Sequence, residues 1–221
     1  AVGECAEMSG ESPSRTNLEI PDAQQDLLKA LVKTGKPVVL LLFTGRPLVL
    51  NWENEHVPAI LNVWFGGSET GDAVADVLFG KVVPSGKLTT TFPRSVGQLP
   101  LFYNHLNTGR PDPDNRVFNR YASNYLDESN EPLYPFGYGL SYTDFVYGDL
   151  QLSSETLPKN GTLTASVTVT NRGDCDGYET VQIYLRDIYN SGLQYIYEPG
   201  EFDVMIGTNS RDVQTKRFSA E

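Results

Sequence analysis

The chain has 221 residues, of which 39% are hydrophobic and 20% charged, a composition that suits one large or two ordinary globular domains and argues against disorder. Its net charge is −11 and its Lys and Arg residues are scattered, so no basic surface for a nucleic acid is predicted. The longest apolar run, residues 37–43, is too short to span a membrane, and no membrane span is predicted.

The cysteines and histidines form no metal-binding or disulfide pattern. Cys5 and Cys175 are far apart in sequence, and His56 and His105 are equally isolated, so we expect buried thiols, no metal site and no cofactor. The first residues, AVGEC, lack the basic and apolar regions of a signal peptide, but a segment that starts inside a domain would not show one. The sequence therefore leaves export undecided.

The first hundred residues alternate between helical and strand periodicity, which is typical of an α/β layer structure. Residues 22–34 are predicted to form a helix that ends at Gly35, and residues 68–79 a second helix that is N-capped by Ser68. The predicted strands of this part are residues 37–43, 59–65 and 87–92.

Residues 93–144 are rich in Pro, Asn, Asp, Gly and Tyr with little periodicity, so they are predicted to form a long extended connection. After Tyr142 the pattern changes to short strands with polar turns such as NRGDCDG, which is typical of a β-sandwich of immunoglobulin or fibronectin type III shape. The predicted strands of this part are residues 145–152, 162–171, 180–186, 200–206 and 212–218.

These patterns predict two separate hydrophobic cores, with a boundary near residue 140. The residues expected in the α/β core are Leu27, Leu31, Val39, Leu41, Ile60, Val63, Val74 and Val77. The residues expected in the β core are Val167, Val169, Val181, Ile183, Val204 and Ile206.

Seven segments of the chain form an ordered set of motifs. They are MSGESPSR, KPVVLLLFTGRPL, FGGSETGDAVADVLFG, PSGKLTTTFPRSVGQLP, NHLNTGRP, EPLYPFGYGLSYTDF and the terminal EPGEFDVMIGTNS. Single pieces such as GRP are weak signals, but the whole set in this order resembles the carboxy-terminal region of bacterial family 3 glycoside hydrolases of the β-glucosidase type. The resemblance covers most of the chain.

The resemblance implies an enzyme of three parts: an amino-terminal (β/α)8 barrel with the nucleophilic Asp, an α/β sandwich with the acid/base Glu, and a fibronectin type III-like domain. Residues 1–103 then correspond to the carboxy-terminal portion of the α/β sandwich, 104–141 to the extended interdomain connection, and 142–221 to the fibronectin type III-like β-sandwich. The barrel, its nucleophile motif and the first strands of the α/β sandwich have no counterpart in the chain. A segment near 187–195, which would complete the β-sandwich, is missing as well.

Glu11 in MSGESPSR matches the family's acid/base residue, so the resemblance implies that it is the general acid/base. Retaining glycoside hydrolysis needs one carboxyl group as nucleophile and a second as proton donor, about 5 to 5.5 Å apart. The step from Ser9 to Gly10 permits a tight turn that presents Glu11 outward. On residue type alone, a solvated loop acid is the simpler interpretation.

Two arginines are expected to support the site, and two acids near Glu11, Glu4 and Glu7, are rivals for its role that precede the Ser-Gly-Glu step. Arg15 is expected to orient the loop by hydrogen bonding rather than to touch the sugar. Arg46 follows an apolar strand and is a candidate for binding substrate at the entrance, although an internal ion pair explains it as well. Glu4 is interpreted as a strand-end residue, and Glu7 as solvated or paired with Arg15.

The resemblance implies that the chain supplies the acid/base loop, but not the nucleophile, of a retaining exo-acting β-glycosidase. The activity expected is that of a β-glucosidase, which releases terminal β-linked sugars from oligosaccharides. The alternatives are a β-xylosidase or a non-catalytic carbohydrate-binding or docking module. The expected partners are a β-linked oligosaccharide and the missing barrel, the expected location is periplasmic or secreted, and the chain alone is expected to be inactive.

Overall fold

The computed structural model describes residues 1–105, 109–110, 121–187 and 199–221. The chain divides into two compact units. The first consists of Ala1–Phe79 and Thr90–Pro135, and the second of Gly80–Thr89 and Phe136–Glu221. The gap expected near 187–195 lies, apart from Asp187, outside the described residues, as does part of the expected connection 104–141.

The first unit contains a three-stranded parallel sheet of β1 (Val2–Gly3), β2 (Val39–Phe43) and β3 (Ala59–Asn62), in the order β1-β2-β3. The strands pair in the registers Val2 with Leu42 and Val39 with Ala59. Three helices accompany the sheet: α1 (Asp22–Val32), α2 (Asn51–His56) and α3 (Thr70–Leu78). Two short 3-10 helices lie at Ala6–Met8 and Val96–Gln98.

The predicted helices and the first two predicted strands of this unit are confirmed, with shifted ends. Strand β3 ends at Asn62 rather than at residue 65, because Trp64 has a positive φ of 55° that a strand does not accommodate. Helix α3 starts at Thr70, and its N-cap is Glu69 rather than the predicted Ser68. The predicted strand 87–92 was wrong, since only an isolated bridge from Phe92 to Tyr134 forms there.

The core of the first unit is only partly the predicted one. Leu27 and Val39 are 55% and 50% exposed, and Leu31 is exposed too, so these three predictions were wrong. Along β2 burial alternates, with Leu40 and Leu42 fully buried, because in the described unit only one face of the sheet is well covered. The other five predicted residues are half-buried. The buried hydrophobic residues of this unit are Leu18, Ile20, Leu28, Leu40, Leu42, Leu48, Leu50, Val57, Phe92 and Leu133.

The second unit is built from short strands: β4 (Phe145–Tyr147), β5 (Gln151–Leu152), β6 (Thr156–Leu157), β7 (Ala165–Ser166), β8 (Val169–Asn171), β9 (Gln182–Asp187), β10 (Gly200–Gly207) and β11 (Val213–Ala220). A mixed four-stranded sheet has the order β6-β11-β10-β9, and two further pairs are β4-β8 and β5-β7. The strands predicted after Tyr142 are thus confirmed, although two of them are each split in two.

The core of this unit contains Leu150, Val204, Ile206, Phe218 and Ala220, with Val167 packed against it. Burial of Val204 and Ile206 was predicted correctly, and Val167 and Val169 are half-buried. Val181 and Ile183 are exposed, so those two predictions were wrong. Ile183 lies on β9, which is at the edge of the described sheet, and Val181 directly precedes this strand.

The segment Gly80–Thr89 belongs to the second unit. The Leu88 amide donates to the Tyr138 carbonyl at 2.8 Å, and the Gly137 amide donates back to the Leu88 carbonyl at 2.7 Å. The Lys87 ammonium lies 3.4 Å from the Glu179 carboxylate, and both side chains are nearly buried.

No helix in the described part of the chain is both long and apolar enough to cross a membrane.

Candidate functional site

The predicted site residues lie on loops that follow two of the parallel strands. Strand β1 is followed by Glu4 and by residues 5–15, called here the Glu11 loop, and strand β2 is followed by residues 44–46. Because β1 and β2 are parallel, both loops leave from the same edge of the sheet. The edge beyond the carboxyl ends of strands is where open α/β sheets place their ligand sites.

The carboxylate of Glu4 is the centre of this edge, and its side chain is 0% exposed. One oxygen, Oε1, accepts a hydrogen bond from Arg15 Nη1 at 2.9 Å and forms an ion pair with Arg46 Nε, also at 2.9 Å. The other oxygen, Oε2, accepts hydrogen bonds from Thr44 Oγ1 at 3.0 Å and from the Gly45 amide at 2.9 Å. Two arginines, a hydroxyl and a backbone amide therefore converge on one buried carboxylate.

These partners determine the ionisation of Glu4. Burial opposes ionisation, but the hydrogen bonds from Arg15, Gly45 and Thr44, together with the charge of Arg46, outweigh it and hold the pKa of Glu4 below its ordinary value of 4.5. The carboxylate is therefore ionised at neutral pH. Its stabilising contribution is present above pH 4.5 and is lost as the pH falls through the lowered pKa.

Both arginines also bind backbone carbonyl groups, and those bound by Arg46 are close to Glu11 in sequence. Arg46 Nη2 donates to the Met8 carbonyl and, at 3.5 Å, to the Pro13 carbonyl, so one guanidinium reaches the loop before and after Glu11. Arg15 Nη2 donates to the Glu19 carbonyl at 3.2 Å. The two guanidinium groups thus connect the Glu11 loop to the buried carboxylate of Glu4.

Gly45 lets the Glu11 loop come close to the end of β2. A Cβ atom at this position would lie 2.2 Å from Ser9 Oγ and 2.9 Å from the Phe65 ring. A larger residue would therefore force the side chain of Ser9, two residues before Glu11, and the Phe65 ring to shift.

Glu11 itself is exposed and lies in a bend of the loop. An exposed carboxyl group on a loop that is held at both ends can reach a ligand bound outside the chain. The structure thus brings the backbone around Glu11 together with Arg15 and Arg46. Arg15 pairs with Glu4 and not with Glu7, which is exposed.

Glu4 is the residue whose importance the sequence did not reveal. It was interpreted only as a strand-end residue, although it is the buried partner of both arginines. Its partners Thr44, Gly45 and Arg46 are about 40 residues away in sequence, so no local pattern links them to it. The available signal was an acid at the end of a strand in a sequence with two arginines already assigned to the site.

The described part of the chain was expected to hold no metal site and to bury its two cysteines. No group of three or more His, Cys, Asp or Glu residues there is placed to hold a metal ion. Cys5 and Cys175 are both exposed free cysteines, so the expectation of buried thiols was wrong. Each lies in a loop or turn rather than in a strand or helix that faces the core.

The sequence profile of the Glycosyl hydrolase family 3 C-terminal domain matches residues 1–142. The chain belongs to glycosyl hydrolase family 3. A periplasmic β-glucosidase of Salmonella typhimurium is 46% identical over 98% of the chain, which corresponds to 33% of that family 3 relative. A β-xylosidase of Formosa agariphila is 45% identical over 88% of the chain and 26% of its own length.

A solved family 3 structure agrees with the fold. The chain superposes with a TM-score of 0.90 on a mutant β-glucosidase from Listeria innocua in complex with laminaribiose, at 37% identity. The superposition covers 99% of this chain and 35% of the Listeria chain. The chain therefore spans about a third of the length of these family 3 proteins.

Proposed function

We propose that this chain is the carboxy-terminal part of a retaining, exo-acting β-glucosidase that releases terminal β-linked sugars from short oligosaccharides. Membership of family 3 and two relatives that are named β-glucosidases support this activity. The observation that carries the proposal is the anchoring of the Glu11 loop at the carboxyl edge of the sheet by Arg15 and Arg46. Glu11 is the proposed general acid/base.

In the proposed reaction, Glu11 first protonates the glycosidic oxygen as the bond to the anomeric carbon breaks, and a carboxylate of the barrel forms the new bond to that carbon. The Glu11 carboxylate then takes a proton from water, which attacks the glycosyl-enzyme and releases the sugar. The nucleophile motif is not found in this chain, so the proposed site is completed by the amino-terminal barrel.

The proposed architecture follows the same family. Residues 1–103 would be part of an α/β sandwich and residues 142–221 a fibronectin type III-like β-sandwich, with residues 104–141 as the connection. The similarity to the Salmonella relative extends over 255 positions, whereas this chain contributes 98% of its 221 residues, or about 217. About 38 positions of the relative therefore have no counterpart in this chain. This difference supports the proposal that a segment is missing from the chain, and the place proposed for it is near 187–195.

A β-xylosidase is the second candidate, because a relative with that name is 45% identical over most of the chain. The sugar preference of the whole enzyme would depend mainly on residues of the barrel. Periplasmic or secreted location is proposed from the periplasmic Salmonella relative. A Ser-Asp-Trp nucleophile motif upstream in the same reading frame would separate either enzyme from a non-catalytic module.

The test replaces Glu11 with Ala in the intact enzyme that contains this chain. Turnover of cellobiose should fall by a factor of the order of 10² to 10⁴, the usual contribution of general acid–base catalysis. A dinitrophenyl β-glucoside should be affected much less at the glycosylation step, because its leaving group departs with little protonation. Azide should partly restore turnover of this activated substrate, since it attacks the glycosyl-enzyme without a base.

The matched comparison is Glu7→Ala, which removes another exposed carboxyl group from the same loop. Glu7→Ala should leave the ratio of the two substrate rates unchanged. If Glu11→Ala slows both substrates equally and azide has no effect, Glu11 is not the acid/base. A substrate-dependent loss in Glu7→Ala would assign the role to Glu7 instead.

A further inference from the structure

We propose that Glu4 is a positioning residue for the acid/base: its buried carboxylate fixes Arg15 and Arg46, and these fix the Glu11 loop. The inference rests on the proposed role of Glu11. Glu4 does not reach the substrate in this proposal, since its side chain is 0% exposed. Its effect on the reaction passes through the backbone on either side of Glu11.

The first step of the argument is that Glu4 connects separate segments of the chain. It follows β1, while Arg15 ends the Glu11 loop and Arg46 follows β2. A carboxylate offers two acceptor oxygens, and each oxygen of Glu4 has two partners among Arg15, Thr44, Gly45 and Arg46. The carboxylate thereby connects the loop to the rigid sheet.

The second step concerns the direction in which Arg46 points. Its Nε is 2.9 Å from Glu4 Oε1, while Nη2 of the same planar group donates to the Met8 carbonyl and, more weakly, to the Pro13 carbonyl. The contact at Nε is an ion pair without a hydrogen bond, so it acts through charge attraction. Because a guanidinium is planar and rigid, this attraction and the hydrogen bond of Nη2 to Met8 together set its orientation. Loss of the Glu4 charge would therefore release the contacts before and after Glu11 together.

The third step is the expected size of the effect. The carboxyl group of Glu11 is exposed, so the position of its backbone determines where the proton donor stands. A misplacement of about 1 Å in an active site can lower a rate by about 10²-fold. A neutral Gln at position 4 keeps the shape and the acceptor for Thr44 and Gly45 but weakens the hold on both arginines.

The experiment compares Glu4→Gln with the unchanged intact enzyme on cellobiose and on a dinitrophenyl β-glucoside. We expect kcat for cellobiose to fall by about tenfold to 10²-fold, kcat for the activated substrate to change by less than about threefold, and KM for both to stay nearly constant. The charge-matched control is Glu55→Gln, an exposed acid on α2, which should change neither substrate. A merely structural role for Glu4 would lower both rates in parallel, and that result would overturn the proposal.

Two further variants keep the test decisive. Arg46→Lys retains the positive charge but cannot bind Glu4 and the Met8 carbonyl at the same time, so it should lower kcat for cellobiose as much as Glu4→Gln does. This variant tests the proposal on its own if Glu4→Gln fails to fold. In the double variant Glu4→Gln/Glu11→Ala, the Glu4 change should add no further loss to that of Glu11→Ala, because it acts through Glu11. Additive losses would overturn the proposal.

The same measurements separate this inference from the proposed function. If Glu11→Ala itself lacks a dependence on the leaving group, the role of Glu11 fails and the inference fails with it. If Glu11→Ala shows that dependence while Glu4→Gln and Arg46→Lys do not, Glu11 remains the acid/base and only the positioning role of Glu4 is wrong.

Discussion

The side chain of Gln24 binds both backbone groups of Gly3. Its Oε1 accepts a hydrogen bond from the Gly3 amide at 2.7 Å, and its Nε2 donates to the Gly3 carbonyl at 3.1 Å. Strand β1 has one neighbour in the described sheet, β2, so a side-chain amide from α1 takes the place of a second strand. Gly3 directly precedes Glu4, so these two hydrogen bonds from Gln24 also fix the backbone at the start of the candidate site.

Replacing Gly3 with Ala should destabilise the first unit by about 3 kcal/mol or more. Gly3 has a φ of 144°, and an added Cβ atom would lie 1.7 Å from the Phe43 carbonyl oxygen. Urea unfolding followed by tryptophan fluorescence reports on this unit, since both tryptophans, Trp52 and Trp64, lie in it. Gly71→Ala is the control: it lies in α3 with no heavy atom within 4 Å of an added Cβ, and it should not destabilise. Equal stability of Gly3→Ala and the unchanged chain would contradict the observed backbone approach.

Glu53 predicts a pH dependence of stability. This side chain of α2 is buried, and its Oε1 accepts no hydrogen bond from the described residues. Burial raises the pKa of Glu53 above 4.5, despite a local backbone hydrogen bond and the attraction of Lys29. The folded state therefore prefers the protonated form of Glu53, so the contribution of this one group to stability is most favourable below pH 4.5 and falls as the pH rises through the raised pKa.

Glu53→Gln should consequently raise the free energy of unfolding at pH 7 by about 1 to 2 kcal/mol, because the neutral amide removes the cost of burying a charge, and change it little at pH 4. The measurement is urea unfolding at both pH values. Glu55→Gln, an exposed acid on the same helix, should show no such difference between pH 7 and pH 4. A variant Glu53→Gln that is less stable at pH 7 would show that the carboxylate has a stabilising role.

The 221-residue chain, purified alone, should hydrolyse no aryl β-glucoside above background. Acid catalysis without the nucleophile lacks the covalent route of a retaining enzyme. The measurement is release of nitrophenol at high protein concentration, with the intact enzyme as the positive control. Turnover by the chain alone that persists in Glu11→Gln would mean that the mechanism is assigned to the wrong residues.

The local sequence was sufficient for most of the secondary structure. Residues 39–43 form a strand because a short, continuous apolar run between turn residues is typical of a buried strand, and the strands after Tyr142 follow from their alternation. The short helix Asn51–His56 was missed because six polar and aromatic residues carry no clear periodicity. The ordered motifs identified the family, and with it the loop around Glu11.

Tertiary structure alone decided which faces are buried and how the site is held together. Leu27 and Leu28 are equally apolar, yet only Leu28 is buried, because burial depends on which side of α1 meets another element. The partners of Glu4 are 11 to 42 residues away, and those after β2 meet it only when β1 and β2 align in parallel. The sequence alone therefore specified the helices and strands and the loop that carries Glu11. Long-range pairing specified the buried carboxylate that binds this loop, because electrostatic partners are selected by distance in space and not by spacing along the chain.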